Sequence, residues 1–141
     1  MKWYLPGEEL EDHARALRAA ARRGDARFVA PDCFWSEIAS AVASATLGRS
    51  ARITAEQARA ALADLMETYR EQRVETVASA DLLPAAFELA HQHGCAIYDA
   101  IYVALAQQLG LPFLTADGKL YARSAHLPGV RWLGDYAPDQ T

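Results

Sequence analysis

Three carboxylates in this chain have surroundings that call for an explanation. Asp99 lies in Cys95-Ala96-Ile97-Tyr98-Asp99-Ala100-Ile101-Tyr102-Val103-Ala104-Leu105-Ala106, a helix apolar nearly all round and therefore expected to be buried on most sides. An unpaired carboxylate in such a place loses its hydration, so it needs a cation, a set of donors or a raised pKa. A structural role competes with this, because Asp99 follows Gly94 closely and can itself start the helix as its N-cap. Asp117 follows a short apolar strand, in Phe113-Leu114-Thr115-Ala116-Asp117-Gly118. Ligands gather outside the carboxyl ends of strands in open parallel sheets, where this side chain would emerge, yet Asp before Gly is also ordinary turn or cap chemistry. Glu37 comes one turn beyond Asp32, beside the small residues Ser36, Ser40, Ala41 and Ser44. The plain role for a Glu in the first turns of a helix is a solvated partner of the helix dipole.

Taken together the three acids say more than each alone. Helix starts and strand ends share one rim of a parallel α/β sheet, so Glu37, Asp99 and Asp117 are expected to converge there. Converging carboxylates raise one another's pKa unless a cation sits among them. An all-oxygen set of this kind suits Mg2+ or Mn2+, which bind phosphate oxygens. Such a metal activates water and offsets the charge that builds on a phosphodiester during in-line displacement.

Other chemistries find little support. The sequence contains no GxGxxG, GxxxxGK[ST] or GxSxG. His91 and His93 read as a solvated pair at a helix end, and His13 and His126 as isolated. Trp3, Trp35 and Trp132 sit in core-like patterns, and Arg15, Arg18, Arg22, Arg23 and Arg27 read as a solvated face rather than a phosphate track. Cys33 and Cys95 form no CxxC and read as free buried thiols.

The elements that must position these acids follow from periodicity and caps. A helix is expected over 8–23, with Glu8, Glu9, Glu11 and Asp12 leading, and Arg27–Ala30 reads as a strand ended by Pro31. Asp32 then caps a helix to about Leu47 that carries Phe34, Ile38, Ala41, Val42 and Ala45 on one stripe. Thr54 and Gln57 make a capping box for a helix to about Tyr69, presenting Leu62, Leu65, Met66 and Tyr69 to a core. Val74–Val77 reads as a strand, and Asp81 caps a helix to about His93, with Pro84 in its first turn and Gly94 closing it. Ala96–Leu109 is helical, 112–115 a strand, Gly118 to about Ala125 a short helix, and 130–133 a strand. Strands separated by helices point to an α/β fold with a parallel sheet.

Composition sets the outer limits. The chain has 141 residues, 52% of them hydrophobic, enough for one domain with a sizeable core and too apolar for global disorder. No window nears the length of a membrane span and no secretory signal opens the chain, so a soluble cytoplasmic protein without a membrane is expected. A net charge of −4, with 14 Lys+Arg against 18 Asp+Glu, argues against nucleic-acid binding by electrostatics alone but leaves room for acids that hold metal and metal that holds phosphate.

Pro31-Asp32-Cys33-Phe34-Trp35-Ser36-Glu37-Ile38-Ala39, then Tyr98-Asp99-Ala100-Ile101-Tyr102-Val103-Ala104-Leu105-Ala106, then Leu114-Thr115-Ala116-Asp117, resemble the acidic motifs of PIN domains. The likeness is closest to VapC-type toxins of bacterial type II toxin–antitoxin systems, and the order, the spacing and the closing 130–135 stretch extend it over essentially the whole chain. The Tyr98–Ala106 segment is specific, whereas Thr-x-Asp alone would be weak. The resemblance implies a single three-layer α/β/α domain over 1–141, with four strands visible of the five in the family's parallel sheet. It further implies a Mg2+- or Mn2+-dependent endoribonuclease that cleaves structured RNA, is neutralised by a cognate antitoxin and commonly forms homodimers. By motif position Glu37, Asp99 and Asp117 would be the metal carboxylates and Thr115 a supporting hydroxyl.

One departure matters. The family opens with a strand ending in an aspartate, and here the sequence starts at the following segment, Lys2-Trp3-Tyr4-Leu5-Pro6. That strand would be central, so without it two neighbours lack a hydrogen-bonding partner. The expectation is an N-terminally shortened VapC-like chain with weaker metal binding and poor nuclease activity. The alternative function is a non-catalytic PIN-like module that associates with antitoxin or nucleic acid through its fold. A third reading, a small-ligand α/β protein whose acids are structural, has less behind it.

Overall fold

In the computed structural model, which describes residues 10–136, the order of elements is α1 (Glu11–Arg23), β1 (Phe28–Pro31), α2 (Cys33–Ser44), α3 (Ala55–Arg70), β2 (Val74–Val77), α4 (Ser79–His93), α5 (Ile97–Leu109), β3 (Phe113–Thr115), α6 (Gly118–Ser124) and β4 (Val130–Trp132), followed by a 3-10 turn at Leu133–Asp135. Trp3, Tyr4, Leu5, Glu8 and Glu9 lie outside the described residues. The expected α/β class holds, and the four expected strands are present within a residue or so of their expected bounds; Pro31 belongs to β1 rather than ending it. They are hydrogen-bonded as two pairs, β1 with β2 and β3 with β4, and not as one continuous sheet among the described residues. The β3–β4 pair is parallel, in the register Phe113↔Val130, Leu114↔Arg131 and Thr115↔Trp132, and the intervening α6 supplies the crossover that parallel strands require.

The chain folds into two compact units: among the described residues the first holds 10–29 and 33–75, the second 30–32 and 76–136. In the first unit, α1 buries Ala14, Leu17 and Ala20 along one stripe, with acids in its first turn and arginines in its last, as the dipole favours. The arginine crowd is paired. Arg15 meets Glu11, Arg18 and Arg22 share Asp64, Arg23 reaches Asp25 at 2.7 Å, and Arg27 Nε donates to Glu75 at 3.1 Å.

On α2 the expected stripe forms the core of this unit: Ile38, Val42 and Ala45 close on Ile53 and on Leu65 from α3, with Phe34 and Trp35 packed beside them. Each such buried aliphatic side chain contributes roughly 1.5–3 kcal/mol. The capping box that starts α3 is formed, with Thr54 Oγ1 accepting from Gln57 N–H at 3.1 Å and Gln57 Oε1 accepting from Thr54 N–H at 2.8 Å. The expected core face of α3 needs correcting. Only Leu65 is buried, because the helix meets α2 along Ala58, Ala61 and Leu65; Leu62 and Met66 are exposed, and Tyr69, though half-exposed, meets Trp35 of α2 edge-on with ring centroids 5.2 Å apart.

In the second unit α4 packs on α5, with Leu82, Ala86 and Ala100 wholly inaccessible. Val103, Leu127 and Val130 form a further cluster against Leu89, Phe113 and Tyr121, which ties α4, α5, α6 and the β3–β4 pair together. Gly94 and Gly110 end α4 and α5 in the left-handed region, at φ 62° and 64°, where a side chain would be strained. The start of α4 differs from expectation. Its N-cap position is Ala78, which has no capping side chain, and Asp81 lies inside the first turn. The Ser79 N–H is satisfied from elsewhere in the chain: Asp32 Oδ1 accepts it at 3.0 Å and also accepts the Ser79 hydroxyl. Pro84 falls one turn later than expected, inside the helix, where its missing N–H leaves the Ala80 carbonyl without the usual i−4 bond. No helix among the described residues is long and apolar enough to cross a membrane.

Candidate functional site

The apolar sequence of α5 forces it inside the second unit, where Ala100, Ile101, Val103, Ala104, Leu105 and Ala106 are all buried. Asp99 is therefore carried at the edge of a dry surface. It is the third residue of the helix. The N-cap is Ala96, with extended backbone and no side-chain bond, so the N-cap reading of Asp99 does not hold. A carboxylate in this first turn faces the positive end of the helix dipole. Burial nevertheless dominates and holds the Asp99 carboxyl above the usual carboxylate range; the negative charge of Asp117 pushes it further up, and Arg123 opposes both. Arg123 Nη2 lies 3.9 Å from Asp99 Oδ2, with the guanidinium half-exposed.

Asp117 is placed by β3 and α6 acting together. Thr115, buried at the end of β3, accepts the Asp117 N–H on its Oγ1 at 3.1 Å. Asp117 Oδ1 then accepts the N–H groups of Lys119 at 2.9 Å and Leu120 at 3.0 Å, and caps α6. The cap and a ligand role are compatible, since both bonds fall on Oδ1 and Oδ2 carries no hydrogen bond among the described residues. Thr115 thus acts as the turn that fixes the Asp117 backbone.

Two of the expected acids, Asp99 and Asp117, share one electrostatic field within the second unit. Its described residues bring no third His, Cys, Asp or Glu into a metal-holding group with them. Glu37 belongs to the first unit, half-buried on α2. A partly desolvated carboxylate under like-charge pressure, next to a second one with an unused oxygen, is a donor set that fits a hard divalent cation.

Arg123 was not foreseen from sequence, which places it 24 positions from Asp99 with no local signal linking the two. The histidines also differ from expectation. His93 and His126, read as solvated and isolated, stand together with Nδ1 and Nε2 3.1 Å apart, because the chain turns back after α6. His91 stacks on Phe87, one helical turn away, with ring centroids 6.3 Å apart. Trp35 joins the core of the first unit and Trp132 packs on Tyr121, while Cys33 and Cys95 form no disulfide and are only half-buried rather than buried as expected.

The family model of the PIN domain matches residues 2–125 of the chain. The chain is also similar to Ribonuclease VapC3 of Pyrobaculum aerophilum, with 42% identity over 59 residues. That alignment covers 42% of this chain and 44% of the relative, so it spans less than half the length of the protein it matches.

Proposed function

The chain belongs to the PIN-domain family, and we propose that it is a Mg2+- or Mn2+-dependent endoribonuclease toxin of the VapC type. In this reading it acts on structured RNA in the cytoplasm, forms a homodimer and is held in check by a cognate antitoxin whose tail fills the acidic groove. The observation that carries the reading is the placement of Asp99, half-buried in the first turn of α5 and within the field of Asp117, whose Oδ1 is tied to the start of α6.

Asp99 and Asp117 would hold the metal, and Glu37 is the further carboxylate that the family resemblance implies by motif position. The bound dication would supply a more acidic water and charge compensation at the scissile phosphodiester. Asp117 offers Oδ2 while Oδ1 is tied to the first turn of α6, so the ligand oxygen is oriented before any ligand arrives. Thr115 holds the backbone beneath it. Asp99 would bind as the carboxylate, the form that burial and the charge of Asp117 disfavour and that a bound dication would favour. Arg123 supplies partial charge compensation beside Asp99 when no dication is bound.

The test is Asp99→Asn, assayed for Mn2+-dependent cleavage of a labelled structured RNA and for growth inhibition on induction. Loss of both with unchanged circular dichroism supports the role; retained cleavage rejects it. The pairing of Asp99 with Arg123, and the presence of two rather than three clustered acids in the second unit, favour the second reading, a non-catalytic PIN-like binding module. Calorimetric titration with Mn2+ separates the two, since a module without a site gives no saturable heat.

A further inference from the structure

We propose that Arg123 is the phosphate-binding residue of the site, and that its guanidinium, which rests against Asp99 in the free protein, turns to a backbone phosphate of bound RNA. The inference rests on the reading of the chain as a ribonuclease, and it adds the group that holds the substrate. Two carboxylates close enough to feel one another, Asp99 and Asp117, repel the phosphodiester they are to act on, so the site needs a cation of its own beside them. The described Lys and Arg residues of the second unit are Lys119, Arg123 and Arg131. Lys119 meets Asp117 through its backbone N–H, whereas Arg123 brings a side-chain charge to Asp99.

The contact that holds Arg123 is loose. Its Nη2 stands 3.9 Å from Asp99 Oδ2, beyond hydrogen-bond length, and the guanidinium forms no hydrogen bond among the described residues. Arg23, Arg27 and Arg73 of the first unit, by contrast, donate through Nε to Asp25, Glu75 and Glu71 at 2.7, 3.1 and 3.0 Å. The Arg123 side chain is half-exposed, and an ion pair of this length at a surface is released at little cost. Its N–H donors are therefore unspent, and their planar fork matches two oxygens of one phosphate group.

The backbone that carries this free side chain is itself firmly seated. Leu120 and Ser124 of α6 are buried, Tyr121 packs on Trp132 of β4 with ring centroids 5.5 Å apart, and Asp117 caps the first turn. These contacts fix the rotation of α6, so one short element carries Asp117 at its start and directs Arg123 near its end toward Asp99 on α5. The guanidinium can leave Asp99 by side-chain rotation alone, with no movement of the helix.

The experiment measures binding of a labelled structured RNA by fluorescence anisotropy, without divalent ions and across a salt series, for wild type, Arg123→Gln, Arg123→Lys and Arg131→Gln. Arg123→Gln should weaken binding about tenfold and lower the slope of log affinity against log salt by about 0.7–0.9, the worth of one phosphate contact. Arg123→Lys should keep the slope and recover part of the affinity, and Arg131→Gln should bind as the wild type does. Calorimetric titration of Arg123→Gln with Mn2+ should give an affinity no weaker than wild type, which separates loss of a phosphate contact from loss of the acidic site. The Arg123 Nε–H signal of the wild type should move when RNA is added, a readout that survives if a variant fails to fold. RNA binding that Arg123→Gln leaves unchanged, an equal loss in Arg131→Gln, weaker Mn2+ binding in Arg123→Gln, or an Arg123 signal that RNA does not move would each overturn the proposal. Arg123-dependent RNA binding by a protein that cleaves no RNA in Mn2+ would instead overturn the nuclease reading and leave the phosphate contact standing.

Discussion

Replacing Asp117 with asparagine separates two jobs that one side chain performs. Asp117 Oδ1 accepts the Lys119 and Leu120 N–H groups at 2.9 and 3.0 Å. An asparagine oxygen accepts the same pair, and the two residues cap helices about equally well. The charge lost at the helix start is worth about 0.3–1 kcal/mol, and removing its repulsion with Asp99 offsets part of that. Asp117→Asn should therefore fold with a stability within about 0.5 kcal/mol of wild type. Asp117→Ala leaves both N–H groups without their cap and should lose about 0.5–2 kcal/mol, a fall of roughly 3–4 °C in Tm for each kcal/mol at this chain length. The Asn variant should also lower the Asp99 titration, because one of the two causes that raise it is gone while burial remains. Denaturant melts of both variants, a carboxyl-carbon NMR titration of Asp99 and a Mn2+ titration measure all three quantities. An Asn variant that melts as low as the Ala variant would refute the cap, and an Asp99 carboxyl that titrates where it did before would refute the shared field.

Other perturbations follow from the same geometry. The folded-state pKa of Asp99 is raised above its unfolded value, so its ionisation costs stability, beginning as pH climbs through the ordinary carboxylate range and complete above the raised value. Asp99→Asn should accordingly raise the Tm of the metal-free protein at neutral pH, with the gain disappearing below the ordinary carboxylate range in a pH series of thermal melts. Leu82 is 0% exposed, and Leu82→Ala should cost about 2–5 kcal/mol by denaturant titration, since it opens a cavity between α4 and its neighbours. Thr54→Ala removes one half of the α3 capping box and should cost about 1 kcal/mol, while Thr54→Ser should recover most of it in the same assay.

Much of this protein is written in short-range chemistry. The Thr54–Gln57 box, the glycines after α4 and α5, the apolar stripe of α2 and the all-apolar α5 each act within a turn or two of chain, where backbone sterics and hydrogen bonds are decided by neighbouring residues. Asp99 and Asp117 stood out for the same reason, as acids out of keeping with their immediate surroundings. What lay beyond the sequence was every pairing set by the path of the chain between distant positions. Asp32 reaches Ser79, Arg123 faces Asp99, His126 meets His93, and α3 turns Ala58, Ala61 and Leu65 inward rather than Leu62 and Met66. Polar and charged side chains carry no periodic mark of their partners, because such contacts form only where apolar clusters such as Val103, Leu127 and Val130 have already drawn remote segments together.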